Sequence, residues 1–423
     1  MPPLDATATV EGATPFARLM AQGRRRATLA MLGPAFVASI AYVDPGNFAT
    51  NVRAGAQFGY LLVWVIVTAN LMAMLIQYLS AKLGIVTDRD LSQNFREHYP
   101  RPVSWFMWVQ AELISMSTDI AEFLGAALGL NLLFGVPLLP AGIMTGFIAF
   151  AILGLQRHGY RRFELAITAL LGLIFLGFLY ETFKIGPSST ATLHGLVPHL
   201  SGTESLYLAV GIIGATVMPH AIYLHSALTN RRMPAHNDEE RRRILRFERI
   251  DVIVALGLAG LINLSMLVIA AEVFHVRGLD VETIQGAHSG LSHYVGGFAA
   301  LTFAVALLAS GVSSSSVGTY AGQVVMAGFV NLSVPLWVRR LVTMAPALIV
   351  LAIGVSPTNA LVFSQVVLSF GIPFALIPLV RLTSRRDVMG VHVNGRLTTL
   401  VAWGIVVVIT GLNVFLLAQT FGV

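Results

Sequence analysis

Cysteine is absent from this 423-residue sequence. Its absence removes disulfides from the fold and confines any metal site to carboxylate, amide, imidazole, thioether or carbonyl donors. Charge is scarce too: Asp, Glu, Lys and Arg make up 11% of the residues, where a soluble domain carries roughly 25%. One water-soluble core is therefore excluded. Lysine occurs only at Lys82 and Lys184, and neither stands in the GxxxxGK[ST] setting that cradles a nucleotide phosphate. No HExxH pair is present either. An ATP-driven pump and a membrane metalloprotease are thus excluded on this chain, and the sequence does not read as an enzyme.

What fills the space is apolar. Hydrophobic residues make 56% of the chain and the mean hydropathy is +0.75. About 20 such residues cross a bilayer as a helix. Eleven stretches fit, at 28–57, 60–82, 102–131, 136–155, 161–183, 204–230, 248–274, 291–328, 334–355, 359–381 and 397–421. The expected fold is an all-α membrane protein with one transmembrane domain over 28–423. A polar tail at 1–27, which includes Arg24, Arg25 and Arg26, reads as cytoplasmic rather than as a cleaved signal.

The net charge of +6 and the pI near 9.8 reflect where basic residues sit. With the N-terminus inside, only Arg53, Lys184 and Arg277 fall on outer connections, which is the asymmetry the positive-inside rule expects. No nucleic-acid partner is needed to explain it. An odd number of spans then leaves the C-terminus outside, in a bacterial-type inner membrane. The richest inner connection, 231–249, contains Asp238, Glu239, Glu240, Arg241, Arg242 and Arg243, and reads as a solvated helix laced with charge pairs.

Two spans are interrupted. The first contains Asp44-Pro45-Gly46-Asn47 and the sixth Met218-Pro219-His220. Proline removes a backbone donor and glycine relaxes the chain. The first span should therefore unwind over 44–47, with a half-helix resuming at Phe48, and the sixth should break at 218–220. Irregular backbone at membrane depth survives only where it is buried in protein or lines a cavity. Breaks five spans apart point to inverted five-helix repeats with a binding site at the midplane. Repeat one would run over about 28–183 and repeat two over about 204–381, with the helix at 397–421 additional.

Asp44 in an apolar span costs about 2.5–3.5 kcal/mol on insertion scales unless something offsets it. It could simply cap the following half-helix. It could also bind a cation, because Asn47 adds an amide oxygen, unwinding frees the carbonyls of Ala41 and Ala215, and Met218 adds a thioether. Sulfur shifts preference from magnesium or calcium toward softer ions. Methionine is also ordinary packing, and Met218 is one of 14.

The strings AYVDPGNFAT and ATVMPHAIYLHSALT resemble the two signature segments of the Nramp family, the natural resistance-associated macrophage proteins. The resemblance extends over nearly the whole chain. It implies the fold of the amino-acid, polyamine and organocation transporters (LeuT-like). It also implies proton-coupled import of Mn2+ and Fe2+ by alternating access, often with Cd2+, Co2+ or Zn2+ admitted, and no permanently bound cofactor. By resemblance the metal site is Asp44, Asn47, Met218 and the carbonyls of Ala41 and Ala215. Gln365, in FSQVVLSFGIPFALIP, matches a residue that approaches the ion in some states. Ala221 departs from the asparagine many relatives carry there.

In span three, Glu112, Asp119 and Glu122 lie within about 20 and 60 degrees of one another in sequence order, on one helix face. Rows of acids in membranes mark ion or proton routes, or pair structurally. The resemblance places Asp119 and Glu122 in a proton network with Asp44, His220, Arg339 and Arg340. Glu112, His225 and Asn263 would extend the polar path, although single polar residues between helices are common contacts. The partners implied are divalent metal ions, protons and the lipid bilayer, with no obligatory protein partner evident. An amino acid held by Asp44, or a metal-gated channel, are the rival readings.

Overall fold

The computed structural model describes residue 21 and residues 32–155, 160–230, 232–332 and 334–421. The basic tail expected over 1–27, including Arg24, Arg25 and Arg26, lies outside the described residues apart from residue 21. No strand occurs among the described residues. The first span is α1 (Pro34–Ser39), a 3-10 turn (Ile40–Val43) and α2 (Pro45–Phe58). Then follow α3 (Val63–Thr87), α4 (Leu91–His98), α5 (Arg101–Phe134), α6 (Leu138–Leu155), α7 (Tyr160–Ile185) and α8 (Ser189–His194). The sixth span is α9 (Gly202–Thr216) and α10 (Pro219–Thr229). After it come α11 (Asp238–Val273), α12 (Ile284–Tyr294), α13 (Gly297–Val330), α14 (Leu336–Ala352), α15 (Pro357–Thr383), α16 (Arg386–Met389) and α17 (Arg396–Phe421). Eight helical stretches among the described residues are long and apolar enough to cross a membrane unaided. The other expected spans fall on the interrupted first stretch, α6 and α14.

Both breaks are sharper than the sequence suggests. Asp44 is extended (φ −85°, ψ 168°) and helix resumes at once at Pro45, not at Phe48. In the sixth span only Val217 and Met218 leave the helix, and Pro219 opens α10. The cause is shared. Proline's clash pushes the preceding residue out of the α region, while its own fixed φ and missing N–H suit the first helical position. Asp44 and Met218 each sit directly before a proline and take the extended conformation that follows.

Elsewhere the boundaries shift for local reasons. The charged run at 238–243 is the first two turns of α11, capped by Asn237, whose side chain accepts the Glu240 amide. Arg243 pairs with Glu239 at 2.5 Å, as expected of a solvated helix. The span placed at 291–328 is two helices, because Gly296 adopts φ +122° between α12 and α13.

Small residues let the bundle close around the first break. On α5, Gly125 faces Pro45 so closely that a Cβ would lie 1.9 Å from the proline ring. Four residues on, Gly129 meets the backbone of Leu308, and on α13 Gly311 meets that of Ala126. This is the small-xxx-small spacing by which membrane helices approach one another without a hydrophobic drive. Below the break, Phe48 packs edge-on against Phe178 and Phe303, with centroids at 5.3 and 5.7 Å.

Candidate ion site at the paired helix breaks

Asp44 is fully buried. Its Oδ1 accepts the backbone N–H of Asn47 at 2.9 Å and the side-chain amide of Asn47 at 2.7 Å. The capping role foreseen as the plain alternative is therefore real. It does not exhaust the site. The same Asn47 Nδ2 donates to the carbonyl of Ala215 at 2.9 Å, joining the first break to the sixth span. Met218, three residues further along the chain, is buried and with Val217 leaves the helix.

Gln365 closes the third side. Its Nε2 lies 3.5 Å from Asp44 Oδ2, a long contact, and 3.2 Å from Ser364 Oγ. Two glycines admit it: a Cβ on Gly46 would lie 1.9 Å from Gln365 Nε2, and one on Gly214 1.9 Å from the Gln365 carbonyl. Thus α2, α9 and α15 converge, and the donors expected from Asp44, Asn47, Ala215 and Gln365 come together. Ala41 is buried in the 3-10 turn of the same break.

The polar accounting leaves a remainder. Backbone carbonyls at the first break find side-chain donors: Asn263 Nδ2 bonds Tyr42 O at 2.8 Å and Ser310 Oγ bonds Val43 O at 2.6 Å. By contrast, the amide oxygens Asn47 Oδ1 and Gln365 Oε1, with Thr216 Oγ1, are buried without a hydrogen-bond partner. A buried acceptor left unmade costs about 1–3 kcal/mol, so the two amide oxygens beside the Asp44 carboxylate call for a cation or solvent. Among the described residues no three His, Asp or Glu gather at one point. The donor set brought together here is one carboxylate with two amides and a backbone carbonyl.

From this site a file of charge leads toward α14. Glu122 is fully buried, one turn of α5 from Asp119, which is also buried. Glu122 lies within electrostatic reach of both Asp44 and Asp119, and Asp119 within reach of Arg340 and Arg339. Arg340, almost wholly buried, donates to the Ser315 carbonyl at 3.0 Å, to Ser315 Oγ at 2.6 Å and to Thr319 Oγ1. Arg339 forks onto Glu112 at 2.9 and 2.7 Å. The three acids do share a face, and that face is turned to the two arginines of α14.

The other expected polar residues are placed as follows. His220 bonds Thr118 Oγ1 through Nδ1 at 3.3 Å, with Nε2 unpartnered, between α10 and α5. His225 lies in a separate chain: Tyr42 OH, Gln77 at 2.5 Å, His225 Nδ1 at 2.9 Å from Gln77, and Glu248 at 3.0 Å from Nε2. Asn263 braces the first break through Tyr42 O and accepts Asn51 Nδ2 at 3.1 Å. Gln77, Tyr42 and Ser310 carry much of this support and were not singled out in the sequence. The cue available was Gln77 itself, a buried amide midway along a membrane-spanning helix.

The arrangement, two broken helices crossing at a buried polar centre, is that of the inverted-repeat transporter fold. Solved structures agree. The nucleobase-cation-symport family transporter Mhp1 in a closed conformation superposes with a TM-score of 0.59 at 14% identity, over 92% of this chain and 93% of its own. MhsT in complex with L-phenylalanine gives 0.57 at 12% identity, over 91% of this chain and 97% of its own. These show the fold alone.

Far closer is the Eremococcus coleocola manganese transporter, seen as a histidine-to-alanine mutant. It has a TM-score of 0.86 and 34% identity, over 94% of this chain and 89% of its own. The family model described as natural resistance-associated macrophage protein-like matches residues 35–419, and this chain belongs to the Nramp family. Relatives include the divalent metal cation transporter MntH of Bacillus subtilis, 53% identical over 94% of this chain and 93% of that protein. The protein of the same name from Deinococcus radiodurans is 53% identical over 99% and 95%.

Proposed function

We propose that this chain is a secondary active importer of divalent transition-metal ions, Mn2+ and Fe2+ foremost, driven by protons and working by alternating access. The observation that carries the reading is the convergence of Asp44, Asn47, the Ala215 carbonyl and Gln365 at the crossed breaks, with two amide oxygens left over. Asn47 Nδ2 now bridges two acceptors, Asp44 Oδ1 and Ala215 O. A cation between them replaces that donor, and turning the amide presents Oδ1 instead, so the same three groups serve with or without an ion. Met218 and Ala41 O complete the set.

Repulsion supplies the coupling. An ion arriving at Asp44 displaces a proton from Asp44 or His220, and Glu122 and Asp119 carry it toward Arg339 and Arg340. The metal is cargo, and nothing resident is required. The repeats run over about 28–183 and 204–381, in a bacterial-type inner membrane with the N-terminus inside and the C-terminus outside. Names borne by the relatives, divalent metal cation transporter and manganese transporter, agree with this cargo. Proteoliposomes holding the full chain, offered Mn2+, Fe2+, Cd2+, Ca2+ and Mg2+ with internal pH recorded, test it. Accumulation of transition ions with acidification is expected. Uptake that never exceeds equilibrium would make the protein a channel.

A further inference from the structure

The charged start of α11 does more than mark topology. With the inner end of α3 and the turn at 390–393 it encloses a cavity of about 360 Å3 whose lining includes Tyr78, Lys82, Arg242, Arg246, Arg249 and His392. The cations have no acids of their own. Lys82 is buried and its Nζ donates to the neutral Asn394 Oδ1 at 2.8 Å. Arg249 lies over the Tyr78 ring at 4.9 Å and donates to its hydroxyl at 3.2 Å. Neither Arg242 nor Arg246 has an ion-pair partner among the described residues.

One carboxylate reaches the lining, Asp238, which meets His392 at 3.3 Å and Arg241 at 3.7 Å; Glu239 pairs with Arg243 at 2.5 Å and Glu248 with His225 at 3.0 Å, so none pairs with Lys82, Arg242, Arg246 or Arg249. Three arginines and Lys82 thus share one concave space without an ion-pair partner among the described residues, and an anion from outside would relieve their mutual repulsion.

The surroundings say which anion. Arg242, Arg246, Arg249 and Ile253 follow at steps of four, three and four, so they form one stripe along α11. That stripe passes from charge to exposed apolar surface at Ile250 and Ile253. On α17, which starts four residues after His392, Leu397 and Leu400 are likewise exposed. A phosphate seated on the arginines therefore has lipid-facing surface directly beyond it, which suits an amphiphile. We propose that this cavity binds the phosphodiester headgroup of an anionic phospholipid, with its acyl chains lying along Ile250 and Ile253. Basic pockets between membrane helices at the membrane surface are known to select such headgroups.

The test uses full-length protein in neutral detergent, with native mass spectrometry of phosphatidylglycerol binding. Zwitterionic phosphatidylethanolamine and inorganic phosphate serve as comparison ligands. The variant Arg242→Gln with Arg246→Gln alters two exposed side chains. Arg241→Gln with Arg243→Gln removes the same charge from the same helix, outside the cavity. The expected result is phosphatidylglycerol binding weakened roughly tenfold or more in the first variant and little changed in the second. Equal loss in both variants, or none in the first, overturns the site. Displacement by millimolar inorganic phosphate as effectively as by the lipid overturns the lipid assignment in favour of a soluble anion. Because the readout is lipid binding, it stands or falls apart from metal uptake.

Discussion

Met218→Ala separates a site tuned to soft ions from one that takes any divalent cation. Met218 is fully buried and holds the extended position before Pro219, and its side chain makes no cap to α10. Alanine tolerates the same backbone, so the break itself should persist. Two costs follow, and they report differently. Truncating a buried methionine costs roughly 2–5 kcal/mol of stability if the space does not collapse. Losing one weak thioether ligand costs about 1 kcal/mol of ion affinity, or roughly tenfold.

The space freed by truncating the buried Met218 side chain suits a water, which is a hard ligand. Calcium and magnesium, which prefer oxygen, should therefore gain access while Mn2+ weakens and Cd2+ weakens more. The assay is isothermal titration and proteoliposome uptake of each ion, with thermal unfolding in parallel. An equal loss for all ions, or continued exclusion of calcium and magnesium in a folded variant, would show that Met218 only packs and that selectivity arises elsewhere.

Asp44→Asn keeps a good cap for α2, because asparagine caps as well as aspartate, but removes the charge. Unfolding temperature should change little while metal uptake is abolished, and near-normal uptake would move the site. Glu122→Gln keeps the shape of a fully buried side chain. It should reduce metal-evoked acidification at least severalfold with metal affinity nearly intact, as read by a pH dye inside vesicles; unchanged proton flux would remove it from the route. Gly214→Ala places a Cβ 1.9 Å from the Gln365 carbonyl, a backbone atom that cannot swing aside. It should lower uptake more than tenfold by pushing α15 off the site, and wild-type transport would mean that α15 does not form part of it.

The breaks were legible because their cause is local. A residue before proline is biased out of the helix by a local clash, and Asp44-Pro45 and Met218-Pro219 add polar or glycine neighbours to that bias, whereas Pro346, Pro373 and Pro378 stay inside continuous helices. What a linear reading missed was how little must unwind: Pro45 and Pro219 begin helices as readily as they end them. The division of α12 from α13 was hidden for a different reason, since the apolar run continues across Gly296 and only its positive φ marks the turn. The face shared by Glu112, Asp119 and Glu122 followed from helical period alone. Its turning toward Arg339 and Arg340 did not, because α14 lies some 220 residues further along the chain. The same holds for Ser310 and Gln77, which serve the breaks only through tertiary contact.

Why the centre should hold a cation rather than a substrate carboxylate follows from the helix ends that meet there. Each helix carries about half a positive charge at its N-terminus and half a negative charge at its C-terminus. The 3-10 turn ending at Val43 and α9 ending at Thr216 present two negative ends, while α2 starting at Pro45 and α10 starting at Pro219 present two positive ones. The four contributions sum to about zero, so one formal charge decides the sign of the field. That charge is Asp44. With it ionised the centre attracts a divalent cation and repels a carboxylate, which disfavours an amino acid bound by its acid group. With it protonated the attraction is gone. Under the function proposed above, proton and metal would compete for this one carboxylate, and Asn47, bonded to both Asp44 and Ala215, would link the first broken helix to the sixth.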